Sequence, residues 1–339
     1  MRPVLLAAAI LVVVPMPSRA MGQTPPDRWV AVYAGGPKRP HYAVEDLVDL
    51  LAAVDSAGRP RQWLCNGALF VEFLTTSGRY YMPQVKGAPA TGDDWVAYLD
   101  SLFSPGGPLD RLDSAAARID SLLGTPDRHV KVSIMVPYPY PGRDTLVLHG
   151  NAYSMAGDAG RFGAVAAYLH ELKDRFGRKN LKHSSLEAVS WLYEGAPASD
   201  TSLLPRVGQE VRRLGLRFLW VPSFGASGAL RWRALGFDQA FLQPNYFFHP
   251  DVPTSRLDSA LALARGAGMG LELEFDRRLF GPWEFADRLG PYLSMLENAP
   301  DMRGNSIVIY EGAGALILLA RSQAATQRAL YTRLVTTLQ

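Results

Sequence analysis

Carboxylates at the ends of two apolar segments are the strongest candidates for chemistry in this sequence. Glu194 ends one such segment, directly before a Gly-Ala-Pro turn. In segment 268–276, apolar residues alternate with Glu272, Glu274 and Asp276. Because side chains alternate between the two faces of a strand, these three acids share one face. Two carboxyl groups that flank a glycosidic bond can hydrolyse it, one as acid and one as base or nucleophile, so the pattern indicates a glycosidase.

The elements that must position these acids form a regular alternation. Short apolar or β-branched segments predict strands at Trp29–Ala34, Ala68–Thr75, Val130–Val136, Leu186–Tyr193, Phe218–Val221, Gln239–Leu242, Gly270–Phe275 and Ser306–Tyr310. Apolar residues spaced three and four apart predict helices at Asp46–Val54, Trp95–Phe103, Leu109–Leu123, Phe162–Phe176, Leu203–Leu214, Leu257–Ala264, Phe285–Leu296 and Ala324–Leu338. Glycines at 177, 215, 236, 268 and 304 mark predicted helix ends.

About eight strand–helix units in succession predict a single (β/α)8 barrel of the TIM type. A doubly wound open sheet is the alternative. That fold uses a glycine-rich ligand loop after an early strand, and Gly35-Gly36 does not match its pattern.

In such a barrel the working residues lie at the C-terminal ends of the strands. Glu194 then lies at the end of strand four, across the mouth from Glu272 and Glu274 on strand seven. Glu194 is predicted to be the general acid/base, since burial and a nearby carboxylate raise a carboxyl pKa. Glu274 is predicted to be the nucleophile or base, and Glu272, one layer deeper, to orient it or to hydrogen-bond the sugar. Placement on strands four and seven favours retention of anomeric configuration.

Amide, carboxylate and aromatic side chains at other strand ends are predicted to bind the substrate. Amides and acids match sugar hydroxyls, and aromatic faces match the C–H faces of pyranose rings. The predicted substrate-binding residues are Tyr80, Tyr138, Tyr193, Trp220, Gln243, Asn245, Tyr246 and Glu311. Core packing is the alternative for part of the aromatic set, and Trp191 and Phe241 are expected in the core.

Motifs of one known family extend over nearly the whole chain after its first segment. The most specific are Gln243-Pro244-Asn245-Tyr246-Phe247-Phe248 and the stretch 268–276. Others are Gly78–Tyr81, Asp94–Asp100, Met135–Pro139, Trp191–Glu194, Leu219–Pro222 and Gly236–Asp238. These stretches resemble a bacterial family catalogued as domain of unknown function 4855. The resemblance implies a shared fold and carries no established activity, so the function has to be inferred from the site.

The positions of the acids also resemble those of the retaining glycosidases with (β/α)8 barrels. That resemblance is positional only. The Asn-Glu pair usual at the end of strand four in that group is Tyr193-Glu194 here.

The first 20 residues are predicted to be a signal peptide. Arg2 precedes the apolar run Val4–Val14, and small residues flank Arg19 at the expected cleavage position. A short membrane anchor is the alternative. Residues 21–28 are predicted to be a linker and residues 29–339 the barrel domain. The predicted signal peptide implies export to the periplasm or outside the cell. No later apolar run is long enough to cross a bilayer, so the processed protein is predicted to have no stable membrane insertion.

Composition argues against several other classes. Of 339 residues, 48% are hydrophobic and 20% charged, which is enough apolar material for a large core and excludes intrinsic disorder. The net charge of +3 leaves no basic excess for nucleic acid.

The six His are scattered without an H-E-x-x-H motif, so no metal or other cofactor is predicted, although acids could hold a cation such as Ca²⁺. Cys65, the single cysteine, lies in an apolar run and is expected to be a buried structural thiol.

The sequence therefore predicts a secreted glycoside hydrolase that acts on an extracellular or cell-wall glycan. A barrel that binds glycans without cleaving them is one alternative. A polysaccharide lyase or deacetylase that uses the same acids is the other.

Overall fold

Eight parallel strands close into a barrel in chain order, and helices surround it. The computed structural model describes residues 26–37, 39–83, 87–125, 128–303 and 306–339. The barrel strands are β1 (Arg28–Tyr33), β2 (Gly67–Val71), β3 (Val130–Val136), β4 (Ser184–Trp191), β5 (Arg217–Trp220), β6 (Gln239–Leu242), β7 (Gly270–Glu274) and β8 (Ile307–Tyr310). The predicted (β/α)8 barrel is confirmed, and the open sheet is excluded because β1 pairs with both β2 and β8.

The surrounding helices follow the predicted ones closely. They are α1 (Val44–Leu51), α2 (Gly92–Phe103), α3 (Pro108–Leu123), α4 (Asp158–Lys179), α5 (Leu203–Arg213), α6 (Ser255–Ala267), α7 (Trp283–Ala286), α8 (Leu289–Glu297), α9 (Pro300–Arg303), α10 (Ala315–Arg321) and α11 (Ala325–Thr337). The helix predicted over 285–296 is divided between α7 and α8, and α10 was not predicted. Gly177 does not end a helix, because α4 continues past it to Asn180, whose left-handed φ of 53° ends the helix.

Two small antiparallel sheets lie outside the barrel. One pairs Ala52–Val54 with Pro60–Trp63, between α1 and β2. The other pairs Thr145–Leu148 with Asn151–Ser154, between β3 and α4. Residues 52–54 were predicted as the end of the first helix and form a strand instead. The predicted signal peptide, most of the predicted linker and Gly304 lie outside the described residues.

Local sequence explains how the main elements form. The strand β3 is a nearly continuous apolar run, as expected for a parallel strand covered on both faces. Helix α2 begins with a reciprocal capping pair, in which the Asp94 N–H donates to Thr91 Oγ1 and the Thr91 N–H donates to Asp94 Oδ2. No helix in the described part of the chain is long and apolar enough to cross a membrane.

The N-terminal end of the barrel is closed by packing and by ion pairs. Trp29 on β1 is fully buried, and its ring lies directly over Gly67 on β2. Asp27 pairs with Lys131 on β3 at 2.5 Å and with Arg217 on β5 at 2.6 Å. These groups neutralise one another at the bottom of the barrel, so the carboxylates at the opposite end have no counter-charge from Lys131.

A methyl group at position 67 is expected to destabilise the fold. In Gly67→Ala the new Cβ would lie 2.4 Å from Trp29 Cε3, so the indole must move within a packed barrel. Overpacking of this kind lowers the free energy of unfolding by about 1–3 kcal/mol. Urea unfolding followed by circular dichroism measures this change.

Gly177→Ala is the matched control. Gly177 is exposed in α4 with no atom within 4 Å of an added Cβ, so Ala there should raise stability by about 0.5–1 kcal/mol or leave it unchanged. Equal effects of the two substitutions would contradict the packing of Trp29 against Gly67.

Candidate functional site

A cavity of about 220 Å³ lies at the C-terminal ends of the barrel strands. Three carboxyl groups line it, one after β4 and two on β7. Five of the residues predicted for the site meet here: Glu194, Gln243, Asn245, Glu272 and Glu274. Apolar and aromatic side chains, among them Phe73, Trp191, Phe248 and Tyr310, complete the walls. Acids and amides that are far apart in sequence therefore share one enclosed space.

Glu272 is the most isolated of the three carboxyl groups. The alternation of β7 turns its side chain toward the barrel interior, while Leu271 and Leu273 are buried on the other face. No described residue donates a hydrogen bond to its carboxyl group. Burial, together with the neighbouring carboxylates of Glu274 and Glu194, raises the pKa of Glu272 well above its usual range. Glu272 therefore holds a proton more strongly than an ordinary glutamate does.

Glu274 is held by two hydrogen bonds to the same oxygen. Tyr292 on α8 donates its hydroxyl to Oε2 at 2.5 Å, and the backbone N–H of Tyr246 donates to Oε2 at 3.3 Å. Burial raises the pKa of Glu274 to about 7, although these hydrogen bonds act in the opposite direction. A carboxyl group with a pKa near neutrality can both give and take a proton under physiological conditions.

Glu194 lies at the edge of the cavity and is only half-buried. Its Oε2 accepts a hydrogen bond from Ser223 Oγ at 2.6 Å, and its backbone carbonyl accepts the Ser223 N–H. These bonds tie the end of β4 to the turn after β5. The deep burial that the sequence led us to expect at Glu194 is found instead at Glu272 and Glu274 on β7.

The two amides are already engaged within the protein. Gln243 donates from Nε2 to the Val221 carbonyl and accepts from Asn245 Nδ2. Asn245 in turn accepts the backbone N–H of Phe224 at 2.7 Å, and its backbone adopts a left-handed φ of 49°. Both side chains line the cavity while they fasten the β5 and β6 ends together.

The structure places all five predicted sugar-binding aromatics, Tyr193 among them, outside the cavity lining. Trp220 is fully buried and stacks on Phe237, with ring centroids 4.7 Å apart. Tyr138 is buried beneath Tyr193, with ring centroids 4.9 Å apart, and donates its hydroxyl to Asp200. These side chains support the end of β4 from behind.

Two further aromatics, and the last predicted acid, also lie apart from the cavity. Tyr80 forms isolated bridges with residues 74 and 89, and the guanidinium of Arg288 covers the ring of Tyr246 at 3.6 Å. Glu311 accepts the N–H groups of Gly314 and Leu316 at the start of α10. Burial raises the pKa of Glu311 to about 7. Phe241 and Trp191 are both in the core as expected, and Trp191 also lines the cavity.

Glu72 is a buried acid at the mouth that the sequence reasoning missed. It directly follows β2, as Glu194 follows β4, so the same signal of an acid at the end of an apolar run was available. Arg39 holds it with two hydrogen bonds of 2.8 Å, and the N–H groups of Phe73 and Leu74 donate to it as well. Its carboxylate is therefore fully partnered.

Two hydroxyl groups at the cavity were also missed. Tyr310 lines it and shares a 2.5 Å hydrogen bond with Tyr33. The Ser190 hydroxyl lines it too and is buried, with no hydrogen-bond partner among the described residues. Strand alternation alone gave no reason to prefer these residues to their neighbours.

Other candidate chemistries find little support in the described ranges. Within them, no group of three or more His, Cys, Asp or Glu side chains is arranged to hold a metal ion. Cys65 is completely buried, and burial raises the pKa of its thiol to about 12. A thiol of that kind is inert as a nucleophile.

Comparison with known proteins identifies the family of the chain. A family model described as a domain of unknown function (DUF4855) matches residues 28–336, and the chain belongs to this family. No curated protein matches the sequence.

Solved structures with a similar course of the chain share little sequence. A 3-hexulose-6-phosphate synthase has 12% identity and a TM-score of 0.39, over 92% of this chain and 100% of that one. A tryptophan synthase α-subunit from Pyrococcus furiosus has 11% identity and a TM-score of 0.39, over 92% and 97%. The family 18 chitinase ChiB of Flavobacterium johnsoniae has 9% identity and a TM-score of 0.44, over 93% and 94%.

Replacement of Glu274 by Gln is expected to change how stability depends on pH. The folded protein keeps Glu274 protonated up to about pH 7, whereas a Glu in an unfolded chain ionises near pH ~4.3. The wild-type protein therefore loses stability as the pH rises through this interval, because ionisation favours the unfolded chain. The free energy of unfolding of Glu274→Gln minus that of the wild type should therefore increase by roughly 1–3 kcal/mol between about pH 4.5 and pH 8.

Urea unfolding at both pH values measures this difference. Glu284→Gln, on the exposed surface of α7, makes the same chemical change and should follow the wild-type pH dependence. Parallel curves for wild type and Glu274→Gln would contradict a raised pKa at Glu274.

Proposed function

We propose that this protein hydrolyses glycosidic bonds in the cavity at the mouth of its barrel, with Glu194 and Glu274 as the catalytic pair. The observation that carries the proposal is the convergence of carboxyl groups from β4 and β7 on one enclosed space. Hydrolysis of a glycoside requires two such groups, placed on opposite sides of the scissile bond. The substrate class is an extracellular or cell-wall glycan.

The environments of the two carboxyl groups favour different roles. Glu274 has a pKa of about 7 and is shielded by Tyr292, so it suits the group that protonates the leaving oxygen. Glu194 is half-exposed and fixed by Ser223 Oγ, which suits a nucleophile or a base that activates water. This assignment reverses the roles expected from the sequence, because burial is deepest on β7.

Glu272 supports Glu274 from one layer deeper in the barrel. In its protonated form, which burial favours, its carboxyl group donates a hydrogen bond to a sugar hydroxyl or to Glu274. The amides of Gln243 and Asn245 offer further polar contacts, and Phe73 and Phe248 offer apolar surface for ring C–H groups.

A barrel that binds glycans without cleaving them is the second candidate. It is favoured by one observation: Glu274 is 1% exposed and already receives two hydrogen bonds at Oε2. A carboxyl group so enclosed could serve as a fixed hydrogen-bond donor to a bound sugar.

Hydrolysis should depend on both members of the pair. Against aryl glycosides and polysaccharides that the wild-type protein cleaves, Glu194→Gln and Glu274→Gln are each expected to lower kcat about 10²–10⁴-fold. If Glu194 is the nucleophile, azide should restore turnover to Glu194→Ala by taking its place. If azide instead restores turnover to Glu274→Ala, then Glu274 is the nucleophile and Glu194 the acid/base, as expected from the sequence.

Glu311→Gln is the matched control for these variants. Glu311 is as deeply buried as Glu274 and has a similarly raised pKa, but it does not line the cavity. Its replacement should leave kcat within about twofold, since it makes no contact with the reacting atoms. Near-normal turnover in both Glu194→Gln and Glu274→Gln would refute the proposal, and binding of glycans with no cleavage by the wild type would support the second candidate.

Export of the protein remains part of the proposal, since an extracellular glycan requires it. The N-terminal sequence of the protein recovered from outside the cytoplasm should begin after Ala20 or within a few residues of it. Recovery of a protein that still begins at Met1 would contradict cleavage there.

A further inference from the structure

The cavity continues beside Glu194 into a shallower cleft. Glu194 and Asn245 line both spaces, so they mark the junction between them. The outer part, called the outer groove below, has a volume of about 480 Å³. Its other lining residues follow β5 and β6 and are Ser223, Phe224, His249, Val252 and Arg256. A glycan longer than the cavity can therefore continue into this groove without leaving the protein surface.

Arg256 brings a positive charge to the outer groove. Its guanidinium lies 4.2 Å from the centroid of the Phe224 ring, and its one hydrogen bond is a long contact of 3.4 Å to the carbonyl of Pro244. No acid within the described residues forms an ion pair with it. Because a guanidinium has five N–H donors, most of them remain available to a ligand.

The groove is preformed by a dense set of hydrogen bonds between side chains and the backbone. Arg288 fastens the loop that carries His249 by donating to the carbonyls of Tyr246, His249, Pro250 and Val252. Asn245 joins this loop to the turn after β5 through the Phe224 N–H. A ligand therefore meets Arg256 and His249 on a fixed frame, which lowers the entropy lost on binding.

Charge divides the cleft into two unlike halves. The inner cavity is lined by three carboxyl groups and by no basic side chain, so nothing in its lining compensates the charge of an anionic sugar. The outer groove holds Arg256 and His249, and Glu194 at the junction is the only acid in its lining. An anionic group gains a charge-assisted hydrogen bond only in the outer groove.

We infer that the glycan bound by this cleft is anionic, with a neutral ring in the inner cavity and a carboxylate, sulfate or phosphate group against Arg256 in the outer groove. This inference rests on the proposed function, because it names the substrate class of the same site. It makes Arg256 a residue that determines specificity, outside the pair that acts on the bond.

Calorimetric binding of matched probes tests the charge preference. The anionic probes are hyaluronan oligosaccharides, keratan sulfate and poly(N-acetylglucosamine 1-phosphate), which contain neutral rings and present a carboxylate, a sulfate and a phosphate in turn. Carboxyl-reduced hyaluronan oligosaccharide is the neutral counterpart of the first. At least one anionic probe should bind the wild-type protein, and Arg256→Gln should weaken that binding about tenfold or more, while binding of the neutral counterpart stays unchanged.

Arg265→Gln is the matched control, since it removes the same charge from the same helix. Arg265 is exposed on α6 and pairs with Asp301, away from the groove. Its replacement should change the affinity for the anionic probe less than about twofold. Equal weakening by Arg256→Gln and Arg265→Gln would indicate a general charge effect and would overturn the inference.

The remaining outcomes separate this inference from the proposed function. Failure of all three anionic probes to bind, or tighter binding of the neutral counterpart, overturns the anionic preference even if the protein cleaves neutral glycans. If an anionic probe binds in a way that depends on Arg256 but no glycan is cleaved, the anionic preference is supported and the proposed hydrolase activity is refuted. The anionic preference is read from affinity in both cases, so its test does not require an active enzyme.

Discussion

Two carboxyl groups on β7 lie inside a barrel whose interior is otherwise largely apolar, and this burial governs the chemistry of the mouth. An ionised group in such surroundings costs on the order of several kcal/mol unless a partner compensates it. Neither Glu272 nor Glu274 has a basic partner among the described residues, and Tyr292 supplies the strongest hydrogen bond to the pair. Burial instead raises the pKa of both groups, to about 7 at Glu274, which gives the cavity a proton donor near neutral pH.

The distribution of basic residues makes this possible. Lys131 and Arg217 lie at the opposite end of the barrel, where both pair with Asp27. Arg39, which is closer to the mouth, is bound by Glu72. The barrel therefore concentrates its compensating charges away from the cavity. The nearest free cation described in the cleft lining is Arg256, in the outer groove, where it can act on a ligand.

Aromatic side chains that pack behind the strand ends are as important to the site as the residues that line the cavity. Trp220, Tyr138 and Tyr246 were expected to touch sugar, and they pack instead behind the strand ends that carry Glu194 and Glu274. Tyr246 also contributes its backbone N–H to Glu274. In this way aromatic bulk fixes the positions of the acids, and the polar amides fix the loops around them. The rigidity of the site thus comes from residues that do not line the cavity as well as from the two amides that do.

The sequence by itself determined the barrel, because the short apolar runs of strands and the three- and four-residue spacing of helices are local patterns, and they alternate about eight times along the chain. It also determined that Glu272 and Glu274 share an inward face, since alternation along a strand needs no tertiary information. It could not determine which aromatics line the cavity, because Trp191 and Trp220 have similar sequence surroundings. Only the structure shows that Trp191 lines the cavity whereas Trp220 stacks on Phe237. Tertiary structure alone decided that Glu311 caps α10, that Arg39 neutralises Glu72, and that burial is deeper at Glu274 than at Glu194. Each of these depends on distances between residues far apart in the chain, and a pKa is set by such distances and by burial rather than by position in sequence.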